Sequence, residues 1–348
     1  MIKVGNRTVL MSTIRGALLL TALMLCFQSA EAESTYTQQV ESRAGGFHAE
    51  ITLEARAERH PELNRWRATV MDSARNVLYQ IEREIPYGSP YPALALSDSG
   101  GAGMVLNAFD GIVEVLDSRG TVVRRWRPFA AEEPSHERIL KCSVAGQRVA
   151  VLASDPTSPP ALVYAMELEG ALSAASALPE AQGGEIYLST DGEVIVAGGS
   201  TAGERLTVST SILSWGCSLL DTVGLDFRLA DVPAGGTTAV LADLRTVVEI
   251  DYESHERRKL WEENRPAAII TALGSHLRGT VVVSQQAEMR GGPARYTGTR
   301  LVLITQAGLM LLDRDLEGEA TRPAALVCAE EAIFVTLGTT RVSIPIER

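Results

Sequence analysis

Five histidines are the first residues to weigh for chemistry: His48, His60, His136, His255 and His276. A metal centre needs donors that converge, and local pairs at short fixed spacing are its usual trace. No two of these histidines stand in such a pair. Two of them share a tetrapeptide, Ser135-His136-Glu137-Arg138 and Ser254-His255-Glu256-Arg257. Their charged surroundings read as solvated loops connecting strand-rich units. The carboxylates Asp98, Asp110, Asp117 and Asp191 each adjoin or nearly adjoin Gly or Ser, which is turn chemistry. A calcium loop would need alternating oxygen ligands of the D-x-D-x-D-G kind, and none occurs.

Nucleophiles give no better pattern. Gly198-Gly199-Ser200-Thr201-Ala202-Gly203 approaches a nucleophile elbow, but the G-x-S-x-G frame meets Ala202 where Gly is required. The stretch reads as a Gly-rich hairpin tip. There is no P-loop and no G-x-G-x-x-G. Aromatic residues make up only 5% of the chain, which argues against a face that stacks sugars. Trp66, Trp126, Trp215 and Trp261 read as packing residues. No catalytic, cofactor-binding or metal-ligating residue is assigned, no cofactor is expected, and the balance leans against an enzyme.

The elements that would position any site are clearer. Residues 91–129 hold four apolar runs, Ala93–Leu96, Met104–Leu106, Ile112–Leu116 and Thr121–Trp126. Ser-Asp-Ser-Gly-Gly, Asp-Gly and Asp-Ser-Arg-Gly separate them. Gly and Asp cost little in tight turns, and runs this short between such turns are strands rather than helices. Later stretches repeat the plan. Leu94-Ala95-Leu96-Ser97 is echoed by Leu140-Lys141-Cys142-Ser143, by Ile186-Tyr187-Leu188-Ser189 and by Leu326-Val327-Cys328-Ala329. First strands are expected near positions 93, 139, 185, 226, 268 and 324. A period of about 40–50 residues built from short strands belongs to a ring of four-stranded blades.

On these residues the chain resembles the β-propeller superfamily, with its WD40-like, NHL-like and quinoprotein-like repeats, in an exported protein of bacterial type. Neither the Gly-His…Trp-Asp signature nor the quinoprotein blade motif is present. The resemblance implies an all-β fold with a central channel: one propeller of six or seven four-stranded blades. Residues 47–348 would form it, closed by a strand from the N-terminal segment completing the last blade. Propeller enzymes often gather ligands where innermost strands begin. Here those positions hold Tyr91, Arg138, Glu185, Asp226, Pro266 and Arg322, a set mixed in charge and without histidine.

Lys3, Arg7 and Arg15 precede an apolar run from Ala17 to Phe27 and the small-x-small sequence Ser29-Ala30-Glu31-Ala32. This reads as a secretory signal peptide over residues 1–32, cleaved after Ala32, and places the protein in the periplasm or outside the cell. Residues 33–46 are polar and read as a disordered lead. The net charge of −11 argues against nucleic acid or anionic lipid as a partner. No integral membrane segment is expected after cleavage. Cys142, Cys217 and Cys328 are too few for a disulfide scaffold. The repeat register puts Cys142 and Cys328 on different blades, as unbonded buried thiols.

The functional expectation is an exported, non-catalytic propeller that binds a protein or envelope component through its loop faces. Two alternatives stand beside it: a divergent propeller hydrolase or lyase with a channel site, and a structural subunit of an envelope assembly.

Overall fold

Alternation of apolar and polar residues between Gly- and Asp-bearing turns makes this chain pair with itself in consecutive hairpins. The computed structural model describes residues 35–42, 45–54, 63–86, 89–129, 133–155, 160–168, 172–178, 182–202, 206–288 and 294–346. They form seven antiparallel sheets, each a meander in chain order. Blade one holds β1 (Thr35–Glu41), β2 (Phe47–Glu54), β3 (Leu63–Asp72) and β4 (Val77–Pro86). Blade two holds β5 (Ala93–Leu96), β6 (Gly103–Asn107), β7 (Ile112–Leu116) and β8 (Val122–Trp126). Blade three holds β9 (Ile139–Ala145), β10 (Arg148–Ser154), β11 (Leu162–Glu167) and β12 (Leu172–Ala177). Blade four holds β13 (Gln182–Leu188), β14 (Val194–Ala202), β15 (Leu206–Ser214) and β16 (Leu219–Val223). Blade five holds β17 (Leu229–Asp231), β18 (Thr238–Ala242), β19 (Thr246–Asp251) and β20 (Glu256–Glu262). Blade six holds β21 (Ala268–His276), β22 (Gly279–Glu288), β23 (Arg295–Ile304) and β24 (Met310–Leu316). Blade seven has three strands, β25 (Ala325–Cys328), β26 (Ala332–Leu337) and β27 (Thr340–Pro345).

The fold is a seven-bladed β-propeller. The first strand of each blade touches the first strand of the next, from β1 and β5 through to β21 and β25, so these strands are innermost. In all six four-stranded blades a register shift falls between the third and fourth strands, at Val70/Met71 and Val115/Leu116 for example. Such bulges add local twist, which suits an outermost strand turning away from the axis.

Six apolar clusters lie between successive blades. Trp66, Ile51 and Val70 of blade one pack on Leu94 and Leu96 of blade two. The later seams repeat this, ending with Leu301 and Leu303 of blade six against Ile333 and Val335 of blade seven. Between blades seven and one, no such cluster is found among the described residues. On β2 and β3 the alternate positions carry Glu50, Glu54, Arg65 and Arg67; both arginines pair with Glu82 of β4, and Arg67 also reaches Glu54.

The expected closure differs from the observed one. Residues 33–46 were expected to be a disordered lead, yet Thr35–Glu41 form β1, paired over its length with β2. β1 completes blade one rather than blade seven, which has three strands among the described residues. Thr-Tyr-Thr-Gln-Gln-Val-Glu looks polar, but Thr, Tyr and Val favour strands, and a strand lining a channel needs no apolar alternation. The signal segment and its cleavage point lie outside the described residues. Among the described residues no helix is long and apolar enough to cross a membrane.

Candidate functional site

With four antiparallel strands per blade, the chain returns to its starting face before each new blade. The innermost strands therefore run parallel, and their carboxyl ends meet on one face. That face carries the turns between first and second strands and between third and fourth strands. This is the turn face.

Strand-end side chains set its geometry. Asp117 at the end of the third strand of blade two accepts backbone N–H bonds from Arg119 (2.9 Å) and Thr121 (2.8 Å). Asp72 and Asp251 do the same in blades one and five. The bonds from Thr121 and Arg119 hold the Asp117 carboxyl below its usual range. Asp191 accepts from the Ser189 hydroxyl (2.6 Å) within its own turn. Asp110 accepts from the Asn107 side chain (2.6 Å) on the opposite face. These aspartates are turn residues, as their dipeptides implied.

A cavity of about 740 Å³ lies on the turn face. It spans blades four to seven. Thr190 follows β13, Asp231 ends β17, His276 ends β21 and Cys328 ends β25, and all four line it. Thr238, Val240 and Glu249 form the blade-five wall, and Thr305 and Gln306 close the blade-six side. Gly279 lets the turn of blade six press in, because its φ is +145° and a Cβ there would lie 1.9 Å from the Ile304 carbonyl oxygen.

Asp231 is the deepest charged group of this lining, at 8% exposure. Its Oδ1 accepts a 3.3 Å bond from the Tyr187 hydroxyl of blade four, while Oδ2 has no hydrogen-bond partner among the described residues. Glu249 is held by Arg258 at 2.6 Å. Both ring nitrogens of His276 are engaged: Nδ1 accepts from the Arg278 N–H (3.2 Å), and Nε2 donates to the Glu330 carbonyl (3.2 Å). Arg278 stands exposed at the rim. Burial first, and the Asp231 charge second, push the Cys328 thiol up to about 12.

The turn face also carries apolar side chains. Among the described residues thirteen large apolar side chains are exposed, and ten of them stand at its turns, a bias that marks this face as the sticky one. Val77 and Leu78, Val122 and Val123, Leu172, Leu219, and Met310 and Leu311 open the outermost strands of blades one, two, three, four and six. Leu277 (79% exposed) and Leu309 (66%) are the most exposed, and Leu277 also lines the cavity. Blade five breaks the rim with Arg257, Arg258 and Lys259.

The residues singled out from sequence do not converge. His136, in the connection between blades two and three, packs its ring at a tilt against Phe109, with centroids 4.8 Å apart. His255 lies 3.5 Å from Asp221 in a turn inside blade five, so the second Ser-His-Glu-Arg stretch is not a connection between blades. His60 lies outside the described residues. His48 lines a cavity of about 380 Å³ that Arg341 of blade seven shares with Glu41 and Glu50 of blade one. At the channel positions, Arg138 bonds Asp155 at 3.0 Å with both side chains buried, Glu185 bonds Lys141 at 2.5 Å, and Asp226 bonds Arg228 at 3.0 Å. Tyr91, Pro266 and Arg322 are exposed.

The Gly-rich stretch is not a hairpin tip. Residues 198–202 continue β14, and Gly203 lies outside the described residues. A Cβ at Gly198 would meet the buried Phe227 ring at 2.8 Å, which is why glycine is needed. Trp66 is fully buried, Trp126 packs edge-on to Tyr164 at 5.0 Å, and Trp215 and Trp261 lie under Arg148 and Arg300. The residues sequence reasoning passed over are Asp231 and its neighbours. Their one signal was an acidic residue inside the apolar run Leu229-Ala230-Asp231-Val232.

No protein-family profile and no curated protein matches this chain. Solved structures do resemble it. A chain of the mitotic checkpoint complex matches with a TM-score of 0.53 and 9% identity, over 86% of this chain and 83% of that one. Virginiamycin B lyase from Staphylococcus aureus matches with a TM-score of 0.49 and 10% identity, over 90% and 100%. At these identities the likeness concerns the fold alone.

Proposed function

We propose that this chain is an exported, non-catalytic β-propeller that holds a protein or envelope component against its turn face. The observation that carries the reading is the distribution of exposed aliphatic side chains. They open the outermost strands of five blades and cluster beside the cavity at Leu277, on one face of the ring. Burying such side chains contributes about 25 cal/mol per Å² of apolar area, and a patch spread over several blades suits an extended partner surface. The solved structure with the higher TM-score belongs to a protein complex, which agrees with a binding role for such a ring.

The test compares two sets of variants. Leu277→Asp, Leu309→Asp and Leu219→Asp alter the turn face, and Leu244→Asp alters the other face. Chemical crosslinking of the tagged protein in its native envelope should give a discrete adduct. The turn-face variants should lose it, and Leu244→Asp should keep it. An adduct indifferent to the turn-face variants would refute this reading.

A further inference from the structure

The carboxylate at the cavity floor is only half satisfied. Asp231 is more than nine-tenths buried and lines the cavity, the Tyr187 hydroxyl serves Oδ1, and Oδ2 has no donor among the described residues. A buried carboxylate oxygen left without a donor is costly, so a native protein that keeps one there has a use for it. The groups around it narrow what fits. The Cys328 thiol is neutral because its pKa lies near 12. His276 has both nitrogens engaged. Glu249 adds a second carboxylate to the wall, and Thr190, Thr280 and Thr305 offer hydroxyl oxygens. The one full positive charge in the lining is Arg278, at the exposed rim. A cavity of about 740 Å³ falls within the range of small-molecule sites.

We infer that this cavity is a binding site for an organic cation, an alkylammonium or guanidinium group whose N–H donors pair with the Asp231 carboxylate. An anion would meet Asp231 and Glu249, and a neutral apolar ligand would leave the Asp231 oxygen unpaired. The cation could be a free polyamine or the side chain of a bound polypeptide. The inference does not require the apolar rim to dock anything.

Titration calorimetry of the whole protein at low salt, with two probes, tests it. One probe is spermidine. The other is the capped peptide Gly-Gly-Lys-Gly-Gly, with its acetyl-lysine form as control. At least one probe should bind saturably at one site, and the acetylated peptide should not bind. Tighter binding of spermidine identifies a free cation, and tighter binding of the peptide identifies a partner's side chain. Asp231→Asn should weaken binding by about tenfold or more, and Arg278→Ala should tighten it about threefold by removing a like charge at the rim. Should Asp231→Asn fail to fold, the native protein decides. A bound probe must then slow alkylation of Cys328 and leave Cys142 unchanged. No saturable binding, equal affinity in folded Asp231→Asn, or equal labelling of Cys328 would overturn the inference.

Discussion

Asp191 in the turn of blade four accepts a 2.7 Å hydrogen bond at Oδ2 from the backbone N–H of Gly235 in the turn of blade five. One aspartate thus shapes its own turn and ties it to the next blade. Burial works to raise its pKa, but bonds from Ser189 and the Gly235 N–H outweigh this and hold it below the usual range. Equivalent links run from the Ser97 hydroxyl to the Gly146 carbonyl (2.5 Å) and from His276 to Glu330. Asp191→Ala should cost about 1–2 kcal/mol, the net worth of one or two such bonds, read from urea denaturation. A loss below about 0.3 kcal/mol would mean the turns hold their places without it.

Trp66 is fully buried at the seam of blades one and two, and its indole N–H has no partner among the described residues. Trp66→Ala should cost about 3–5 kcal/mol through cavity formation. Trp66→Phe should cost much less, since it retains a ring and gives up no hydrogen bond. Similar losses for both variants would point to an unseen partner of the indole nitrogen.

Acid should weaken the same seam. Glu114 of blade two is nearly buried, bonded to Arg83 of blade one at 2.6 Å and to Arg125. Burial raises its pKa, but the two arginines prevail and hold it below its ordinary value. A depressed folded pKa means the extra stability is present above the unfolded value, about 4.3, and is lost as pH falls through the folded value. Unfolding midpoints should therefore drop below about pH 4.3. Glu114→Gln should be less stable at neutral pH and show a shallower drop. An unchanged acid limb would assign the drop to other carboxylates.

The three thiols should be far less reactive in the native protein than in the denatured one. Cys142, Cys217 and Cys328 are unbonded, and burial raises the pKa of each, to about 12 for Cys142 and Cys328. Native protein at pH 8 should react slowly with thiol reagents, and denatured protein should release all three thiols. A crosslinked peptide joining Cys142 to Cys328 would contradict the blade order.

Export has its own readout. The mature chain should begin at Glu33, so Edman sequencing of protein recovered outside the cytoplasm should start Glu-Ser-Thr. Recovery of chains starting at Met1 or Met11 would remove the signal peptide from the account.

The blade repeat was legible because it rests on local chemistry. Expected first strands at 93, 139 and 268 coincide with β5, β9 and β21, and those at 185, 226 and 324 fall within three residues of β13, β17 and β25. Leu96, Cys142, Leu188 and Cys328 do share an environment, each packing towards the preceding blade. They are not equally deep: the two leucines are buried and the two cysteines half-buried. Turn residues and apolar runs carry that much, because each depends on neighbours a few positions away.

Closure and the site depend on contacts that no local pattern encodes. A polar strand such as Thr35–Glu41 declares itself only once β2 is there to pair with it. Asp231 is a single acidic residue in an apolar run along the chain, and Tyr187, His276 and Cys328 lie on three other blades. The sequence by itself determined strands, turns and their period, since these are settled within some ten residues. Only the tertiary structure decided which strand ends meet, because ring curvature brings together residues more than a hundred positions apart, as with Thr190 and Cys328 lining one cavity.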